Sequence, residues 1–207
     1  CIRDRLEPLW GKIPYVELLV ICRHGEGGES SFANQIDYED LIADHPAAYD
    51  WPDIPETAPM GLCYTSGTTG NPKGVMYTNR STYLHTLTES LTDSMGLSAL
   101  DSLLGIVPMF HAMGWGLPFA ASMLGTKQVY PHRFMTPDSF LSLMQQEQVT
   151  ISAGVPTIWQ GVRATLEANP DKFDLSKLQR LTCGGSAPPV EMMRWYWETF
   201  GVEMIQG

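Results

Sequence analysis

The chain has 207 residues, which suits one large domain or a piece of a larger one. Hydrophobic residues make up 43% and charged residues only 17%, which fits a chain composed mainly of interior strands and helix faces. No basic stripe accompanies the formal net charge of -10, and this argues against nucleic-acid binding and confines any anion site to a local cluster. Because the sequence has no signal peptide and no run of 18 apolar residues, we expect no transmembrane segment.

The cysteines indicate a reducing compartment. The four residues Cys1, Cys22, Cys63 and Cys183 are far apart and form no CxxC pair, so neither a zinc site nor a disulfide framework is predicted. Cys63 and Cys183 lie in apolar runs, where cysteine usually acts as a small buried hydrophobe. We therefore expect a cytoplasmic protein.

Residues 1–95 are predicted to hold three strand-like runs and two helices. The strand-like runs lie at residues 15–22, 60–65 and 75–77. The first of them is rich in Val, Leu and Ile, which is typical of a buried strand. The helices are predicted at residues 38–44 and 79–95. Four apolar residues of the second helix recur at helical spacing: Leu84, Leu87, Leu91 and Met95.

From residue 103 onward, strands and helices alternate. The predicted strands are residues 103–107, 128–130, 150–153, 178–183 and 202–205. The predicted helices are residues 115–124, 137–146 with Thr136 as the N-cap, 156–168 and 189–200. This alternation is typical of βαβ units, so we expect an α/β fold with a mainly parallel, layered sheet and helices on both faces.

The segment at residues 64–75, Tyr-Thr-Ser-Gly-Thr-Thr-Gly-Asn-Pro-Lys-Gly-Val, carries the strongest functional signal. Gly67 and Gly70 allow close approach of the backbone to a ligand. Hydroxyls and free N–H groups can surround phosphate oxygens, and Lys73 adds a positive charge. The segment is not a Walker A loop, because Gly74 follows the lysine where that motif has Ser or Thr.

This segment resembles the signature phosphate loop of the adenylate-forming (AMP-binding) superfamily, which includes acyl-CoA synthetases, luciferases and the adenylation domains of peptide synthetases. Residues 107–116, Val-Pro-Met-Phe-His-Ala-Met-Gly-Trp-Gly, resemble the second core motif of that superfamily in its fatty-acyl-CoA synthetase form. Residues 153–157 and 183–188 match later junctions, and residues 49–52 match a lead-in of this subgroup. The resemblance covers the chain from about residue 15 to its end.

The resemblance implies a residue-by-residue assignment. Lys73, Thr68 and His111 would be catalytic, and Thr65 would also approach Mg²⁺. The nucleotide would be bound by Thr65, Ser66, Gly67, Thr69, Gly70, Gly185, Ser186, Ala187 and Pro188. The acyl pocket and its gate would be formed by His111, Trp115, Gly184 and Gly185.

The implied reaction is activation of a fatty acid by ATP to acyl-AMP, followed by transfer to CoA. The carboxylate nucleophile is already ionised near neutral pH, so no general base and no catalytic triad are expected. Binding and electrostatic stabilisation are expected to lower the barrier instead. Three alternatives stay open: a CoA ligase for a small acid such as 3-methylthiopropionate, an adenylation domain serving a carrier protein, and a non-catalytic nucleotide-binding remnant.

The resemblance also predicts an incomplete N-terminal AMP-binding domain. Residues 1–59 would be part of the N-terminal subdomain and its connection, and residues 60–207 would hold the phosphate loop, acyl-pocket and adenine-side segments. The Tyr-Gly-x-Thr-Glu run and the C-terminal lid domain of the family are absent from the 207 residues. We therefore expect the isolated chain to be inactive, and a homodimer of the complete protein is left open.

Overall fold

A computed structural model describes residues 7–22, 32–65 and 70–207. The chain forms two compact units, Cys1–Asp53 and Ile54–Gly207. In the described residues, no helix is long and apolar enough to cross a bilayer.

The first unit contains few regular elements. A 3₁₀ helix at Glu7–Lys12 is followed by β1 (Leu19–Ile21), β2 (Gln35–Asp37) and α1 (Tyr38–Ala43), and the two strands pair in parallel. The strand predicted at residues 15–22 is therefore much shorter than expected. Val16 N donates to Ile13 O at 3.1 Å, which closes a turn, and the Tyr15 side chain is 78% exposed.

The second unit begins with a β-hairpin and a helix: β3 (Pro59–Thr65), β4 (Lys73–Thr78) and α2 (Asn79–Glu89). The strands are antiparallel. A capping box begins the helix, because Thr78 Oγ1 accepts from Ser81 N while Ser81 Oγ accepts from Thr78 N.

Helix α2 ends at Glu89, six residues before its predicted end. Hydroxyl groups along it donate to carbonyl oxygens one turn earlier, at 2.8 Å from Thr86 to Thr82 O and at 2.9 Å from Ser90 to Thr86 O. Such bonds compete with helical hydrogen bonding. The apolar spacing does not mark a buried face, because of the four apolar residues only Met95, beyond the end of the helix, is buried. Thr86 and Glu89 are the buried residues of the helix itself.

The rest of the unit alternates strands and helices, as predicted. The strands are β5 (Ser102–Gly105), β6 (Lys127–Val129), β7 (Ile151–Gly154), β8 (Arg180–Cys183) and β9 (Glu203–Gln206). The helices are α3 (Ala112–Trp115), α4 (Leu117–Leu124), α5 (Pro137–Gln146), α6 (Pro156–Ala168) and α7 (Val190–Phe200). Helices α5 and α6 have the predicted bounds, and Thr136 caps α5 by accepting from Ser139 N at 3.3 Å.

The five strands form one fully parallel sheet in the order β6-β5-β7-β8-β9. Side chains that alternate along each strand enter two core clusters on opposite faces of the sheet. Leu104 and Leu181 pack with α5, α6 and α7 on one face. Leu103 and Ile151 pack with α4 on the other. The predicted α/β class with helices on both faces is confirmed.

Two hydrogen bonds connect α6 to the sheet and α7 to α6 on the first of these faces. Trp159 Nε1 of α6 donates to Thr182 O at 3.2 Å, and the Tyr196 hydroxyl of α7 donates to Trp159 O at 2.8 Å. Both rings are fully buried, and burial raises the pKa of Tyr196. The indole N–H of Trp159 and the hydroxyl group of Tyr196 therefore both have hydrogen-bond partners inside the core.

The strand order also locates a crevice. The chain leaves β5 for one edge of the sheet and, after β6, returns to β7 and continues toward the other edge. In open α/β sheets, ligands bind outside the carboxyl ends of the strands at such a reversal. The loops after β5, β7 and β8 are therefore placed to form a site.

Candidate functional site

The β3–β4 hairpin carries the predicted phosphate loop. Thr65 is paired with Lys73 at the end of the ladder, and Thr65 Oγ1 donates to Lys73 O at 3.5 Å. Gly70 has φ +116°, a backbone conformation that favours glycine. Ser66, Gly67, Thr68 and Thr69 lie outside the described residues.

Lys73 is the first residue of β4, so the strand begins two residues before the strand-like run predicted at residues 75–77. Its side chain is exposed, and its ammonium group makes no hydrogen bond or ion pair with residues that the structure describes. Pairing in the strand fixes the backbone of this lysine while its charge stays available. The arrangement suits an anionic ligand bound at the open end of the hairpin.

The segment after β5 forms an unusual turn, which includes the four residues labelled α3 and does not have ordinary right-handed helical geometry. His111 N donates to Pro108 O and Gly114 N donates to His111 O, each at 3.0 Å. The next backbone angles are all left-handed, with φ +44° at Ala112, +49° at Met113, +66° at Gly114, +57° at Trp115 and +77° at Gly116. Each non-glycine residue in this conformation costs roughly 1–2 kcal/mol, so the surrounding structure has to hold the turn in place.

Neighbouring elements supply that support. Met113 packs against Gly61 of β3, where a side chain at Gly61 would collide with its sulfur. Gly114 is buried beside Met109. The helix predicted at residues 115–124 therefore begins two residues later, at Leu117, because the left-handed turn occupies the preceding positions.

Trp115 and Gly184 are in contact. A Cβ atom at position 184 would lie 2.9 Å from Trp115 Cη2. Gly184 N in turn donates to Gly154 O of β7 at 3.2 Å. The ring therefore lies on the carboxyl edge of the parallel sheet, and only a residue without a side chain leaves room for it.

His111 lies beside this contact. Its ring centroid is 6.5 Å from that of Trp115, with 58° between the ring planes. The side chain is exposed. The structure thus brings together His111, Trp115 and Gly184, three of the residues predicted for the acyl pocket and its gate.

The loop after β8 exposes backbone that a flat ligand could contact. Gly185 has φ +77°, and a Cβ atom there would lie 3.3 Å from Val155. Ser186 and Ala187 are exposed, and Pro188 is buried. In the described part of the chain, no hydrogen bond or ion pair joins this loop to Thr65, Gly70 or Lys73.

A cavity of about 350 Å³ lies between α2, the left-handed turn and α4. Its lining is apolar where the turn and α4 face it and polar where α2 faces it. The lining residues are Tyr77, Ser81, Thr82, His85, Ala112, Met113, Trp115, Gly116 and Phe119. Trp115 is therefore part of the cavity wall as well as a neighbour of Gly184.

Sequence reasoning assigned no role to His85 and Glu89. Of the two, His85 lines the cavity. Glu89, one helical turn later, is 6% exposed, and burial raises the pKa of its carboxyl group to about 8. The i, i+4 spacing of His and Glu on a helix was the available signal.

The described residues contain no group of three or more His, Cys, Asp or Glu side chains that could hold a metal ion.

Cys22, Cys63 and Cys183 are free thiols. Burial raises the pKa of Cys183, which keeps this thiol protonated and unreactive behind the Gly184 loop.

Comparison with known proteins identifies the relatives of this chain. Residues 17–207 match the family described as AMP-binding enzyme. The medium-chain-fatty-acid–CoA ligase of Ectopseudomonas oleovorans is 43% identical over 196 residues, which are 94% of this chain and 36% of that protein. The 3-methylmercaptopropionyl-CoA ligase of Ruegeria pomeroyi is 42% identical over 168 residues, 81% of this chain and 31% of that protein.

Solved structures show the same likeness. The anthranilate CoA ligase AuaEII, in complex with anthranoyl-AMP, superposes with a TM-score of 0.81 at 25% identity and covers 98% of this chain and 38% of that one. The chain thus spans about a third of the length of these relatives.

Proposed function

Because the chain belongs to the AMP-binding enzyme family, we propose that the protein containing it activates a fatty acid with ATP, first to acyl-AMP and then to acyl-CoA. The observation that carries the proposal is the position of Trp115. This ring lines the cavity beside α2 and lies on Gly184 at the carboxyl edge of the sheet. An acyl chain in that cavity would end at the edge where α/β folds bind their ligands.

The phosphates of ATP are assigned to the hairpin. Lys73 offers an ammonium group without a partner among the described residues, and Thr65 offers a hydroxyl oxygen at the same end of the ladder. Together with Ser66, Gly67, Thr68, Thr69 and Gly70, these groups would hold the β- and γ-phosphates. Their donors fit an anion, and pyrophosphate must be able to leave, which suits exposed rather than enclosed groups.

We assign Mg²⁺ to the same end of the hairpin. The Thr65 hydroxyl group is the ligand we assign, since hard cations prefer oxygen. When bound, the ion would neutralise charge on the phosphates during displacement.

The adenine is assigned to the loop after β8. Gly185, Ser186 and Ala187 present exposed backbone with small side chains, on which a flat ring can lie, and the buried Pro188 follows them. Gly184 separates this surface from Trp115, and His111 stands beside that ring. We propose that His111 orients the acid between the cavity and the α-phosphate.

The chemistry then consists of orientation rather than proton transfer. The carboxylate oxygen attacks the α-phosphorus of ATP, a new P–O bond forms, and the bond to pyrophosphate breaks. CoA thiolate subsequently attacks the acyl carbon and releases AMP. Because an ionised carboxylate already carries the attacking electron pair, Lys73 and the backbone donors have only to bring two anions together.

The second candidate is a CoA ligase for a small acid such as 3-methylthiopropionate. It is kept because the 3-methylmercaptopropionyl-CoA ligase of Ruegeria pomeroyi is 42% identical, a similarity close to the 43% of the medium-chain ligase. Both candidates use the same phosphate and adenine sites. They differ only in which acyl chain fills the cavity.

The test is pyrophosphate release by the complete gene product that contains this sequence, assayed with ATP, Mg²⁺ and unbranched acids of rising length. We expect release that depends on the acid, and acyl-CoA when CoA is added. A maximum at the shortest acids or at 3-methylthiopropionate would select the second candidate. No release with any acid, from a folded protein that binds ATP, would favour a non-catalytic nucleotide-binding remnant.

CoA-dependent product also separates this function from acyl transfer to a carrier protein. We propose a cytoplasmic location, in keeping with the free thiols of Cys22, Cys63 and Cys183. A homodimer of the complete protein is the assembly to test, by light scattering of the purified gene product.

A further inference from the structure

The turn that carries Trp115 is joined to α4 through Gly116. Gly116 follows Trp115 directly, is buried, and has φ +77°. Its carbonyl oxygen accepts from Phe119 N at 3.0 Å and from Ala120 N at 3.1 Å, the hydrogen bonds with which α4 begins. A group that fixes Gly116 therefore fixes the end of the turn from which the Trp115 side chain projects.

Two side chains of α2 lie against Gly116. A Cβ atom at position 116 would lie 2.5 Å from His85 Nδ1 and 3.0 Å from Glu89 Oε2. These two atoms are 3.6 Å apart, and together they leave no room for a side chain on residue 116. The i, i+4 spacing puts His85 and Glu89 on one face of the helix, so both contact the turn at the same place.

Glu89 is the more enclosed member of this pair. Its side chain is 7% exposed, whereas that of His85 is 56% exposed. Glu89 is not among the residues that line the cavity, so its carboxyl group contacts the back of the turn rather than a ligand. Burial raises the pKa of this carboxyl group to about 8, so the neutral acid predominates at pH 7 and no unpaired charge is buried against the turn.

The turn has to be held by its neighbours, because its own backbone disfavours the conformation. Three of its non-glycine residues have left-handed angles, each of which costs roughly 1–2 kcal/mol. On one side of Trp115, Met113 packs against Gly61 of β3. On the other side, the contact that holds the backbone is the one between Gly116 and the side chains of α2.

We propose that His85 and Glu89 are positioning residues for Trp115, which keep the indole ring on Gly184 by packing against Gly116. The inference rests on the proposed function, because the position of the ring affects the reaction only if Trp115 gates the acyl cavity. Glu89 acts through the backbone of the turn and takes no part in bond making. Loss of the contact should let the turn shift and weaken binding of the acid, while the phosphate site at the hairpin keeps its affinity for ATP.

The experiment uses the complete gene product that contains this sequence. Glu89→Ala removes the buried contact, Glu89→Gln keeps its shape and its neutrality, and His85→Ala removes the other member of the pair. The controls are Thr88→Ala, at an exposed position of the same helix, and Glu198→Gln, at an exposed position of α7. The readouts are KM for the acid, KM for ATP, and acrylamide quenching of Trp115, taken as the difference between each protein and the same protein with Trp115→Phe.

We expect Glu89→Ala and His85→Ala to raise KM for the acid about tenfold, since a small displacement of a group that positions the substrate is costly. KM for ATP should stay unchanged, and the quenching of Trp115 should increase as the ring leaves Gly184. Glu89→Gln and both controls should match the unmodified protein.

Unchanged quenching of Trp115 in either alanine variant overturns the inference. An equal rise of KM for the acid and for ATP overturns it as well, because the whole site would then be disturbed. The same holds if Glu89→Gln is as defective as Glu89→Ala, since packing would not be the cause. If Glu89→Ala does not fold, His85→Ala decides by the same readouts. If no acid is activated, the proposed function fails, and the quenching of Trp115 alone decides the positioning role.

Discussion

The indole ring of Trp115 lies on the backbone of Gly184, where a Cβ atom would approach Trp115 Cη2 to 2.9 Å. The two residues are 69 positions apart in the chain, and the reversal of strand order between β5 and β7 brings their loops to one edge of the sheet. The contact makes the position of the ring depend on the absence of a side chain at residue 184.

Replacement of Gly184 by Ala is therefore expected to displace the ring. A contact below 3.0 Å cannot be accommodated without movement, so we expect a shift in tryptophan fluorescence and a loss of pyrophosphate release by the complete gene product of about tenfold or more. Acids of different length should be affected unequally if Trp115 gates the cavity.

Gly11→Ala is the control for this change, because a Cβ atom at Gly11 has no neighbour within 4 Å. Its fluorescence and activity should match those of the unmodified protein. Equal activity in Gly184→Ala and the control would contradict a gating role for Trp115.

A second prediction concerns the amino-terminal edge of the sheet. Asp101 Oδ1 accepts hydrogen bonds from Thr150 Oγ1 and Arg180 Nη2, each at 2.7 Å, and Oδ2 accepts from Ser98 N at 2.9 Å. Burial would raise the pKa of Asp101, but the hydrogen bonds of Thr150 and Ser98 and the charge of Arg180 outweigh it and lower the pKa. The carboxylate thus joins the starts of β5, β7 and β8.

We expect Asp101→Asn to lower the free energy of unfolding by about 2–3 kcal/mol, since the guanidinium of Arg180 loses its counter-charge in a partly buried position. The loss should shrink as the pH falls through the lowered folded-state pKa, below the ordinary aspartate value of 3.8, where the native carboxylate itself becomes protonated. Urea denaturation measures both effects. The control is Asp138→Asn, which breaks an exposed ion pair with Lys172 and should lower the free energy of unfolding by less than about 1 kcal/mol. An equal loss in the two variants would contradict a stabilising role for the hydrogen bonds and ion pair of Asp101.

Much of this fold was predictable because hydrophobic periodicity reports burial. Helices α5 and α6 were predicted to the residue, since proline begins each of them and an apolar stripe faces the sheet. Helix α2 shows the limit of that signal. Its leucines recur at helical spacing, yet Leu84 and Leu91 are 55% and 60% exposed, and the buried side chains are Thr86 and Glu89.

The candidate site was predicted from motifs, and a sequence motif does not show which residues surround each of its side chains in the fold. The motif at residues 107–116 predicted a gating role for Trp115. The amino-acid sequence of the motif does not indicate that five successive residues adopt left-handed backbone angles. That conformation depends on contacts with β3 and α2, which are distant in sequence. His85 shows the same limit, because its position beside Gly116 is set by the fold and cannot be read from the sequence.

The raised pKa of Glu89 gives a third prediction with a defined sign. The carboxyl group has a pKa of about 8 when folded, against 4.5 ordinarily. Between these values the folded state holds a proton that the unfolded state has lost, so the contribution of Glu89 to stability is fully present below pH 4.5 and is lost as the pH rises toward 8. The slope is at most about 1.4 kcal/mol per pH unit for one proton.

Glu89→Gln removes this titration. Measured by urea denaturation across pH 5 to 8, the stability of the unmodified protein relative to this variant should fall steadily with pH. For Glu198→Gln the same difference should stay flat. A flat difference for Glu89→Gln as well would mean that the carboxyl group titrates normally.

The last prediction tests the hairpin. Lys73 has its backbone fixed in β4 while its ammonium group contacts none of the described residues. Lys73→Ala should therefore leave the free energy of unfolding within about 0.5 kcal/mol of the unmodified value. If this charge holds the departing phosphates, the same change should lower pyrophosphate release by the complete gene product about 100-fold.

Lys177→Ala, at another exposed lysine, should leave both quantities unchanged. A Lys73→Ala variant that keeps full activity would remove the hairpin from the phosphate site, whereas one that unfolds would show that the lysine has a structural role that its exposure does not suggest.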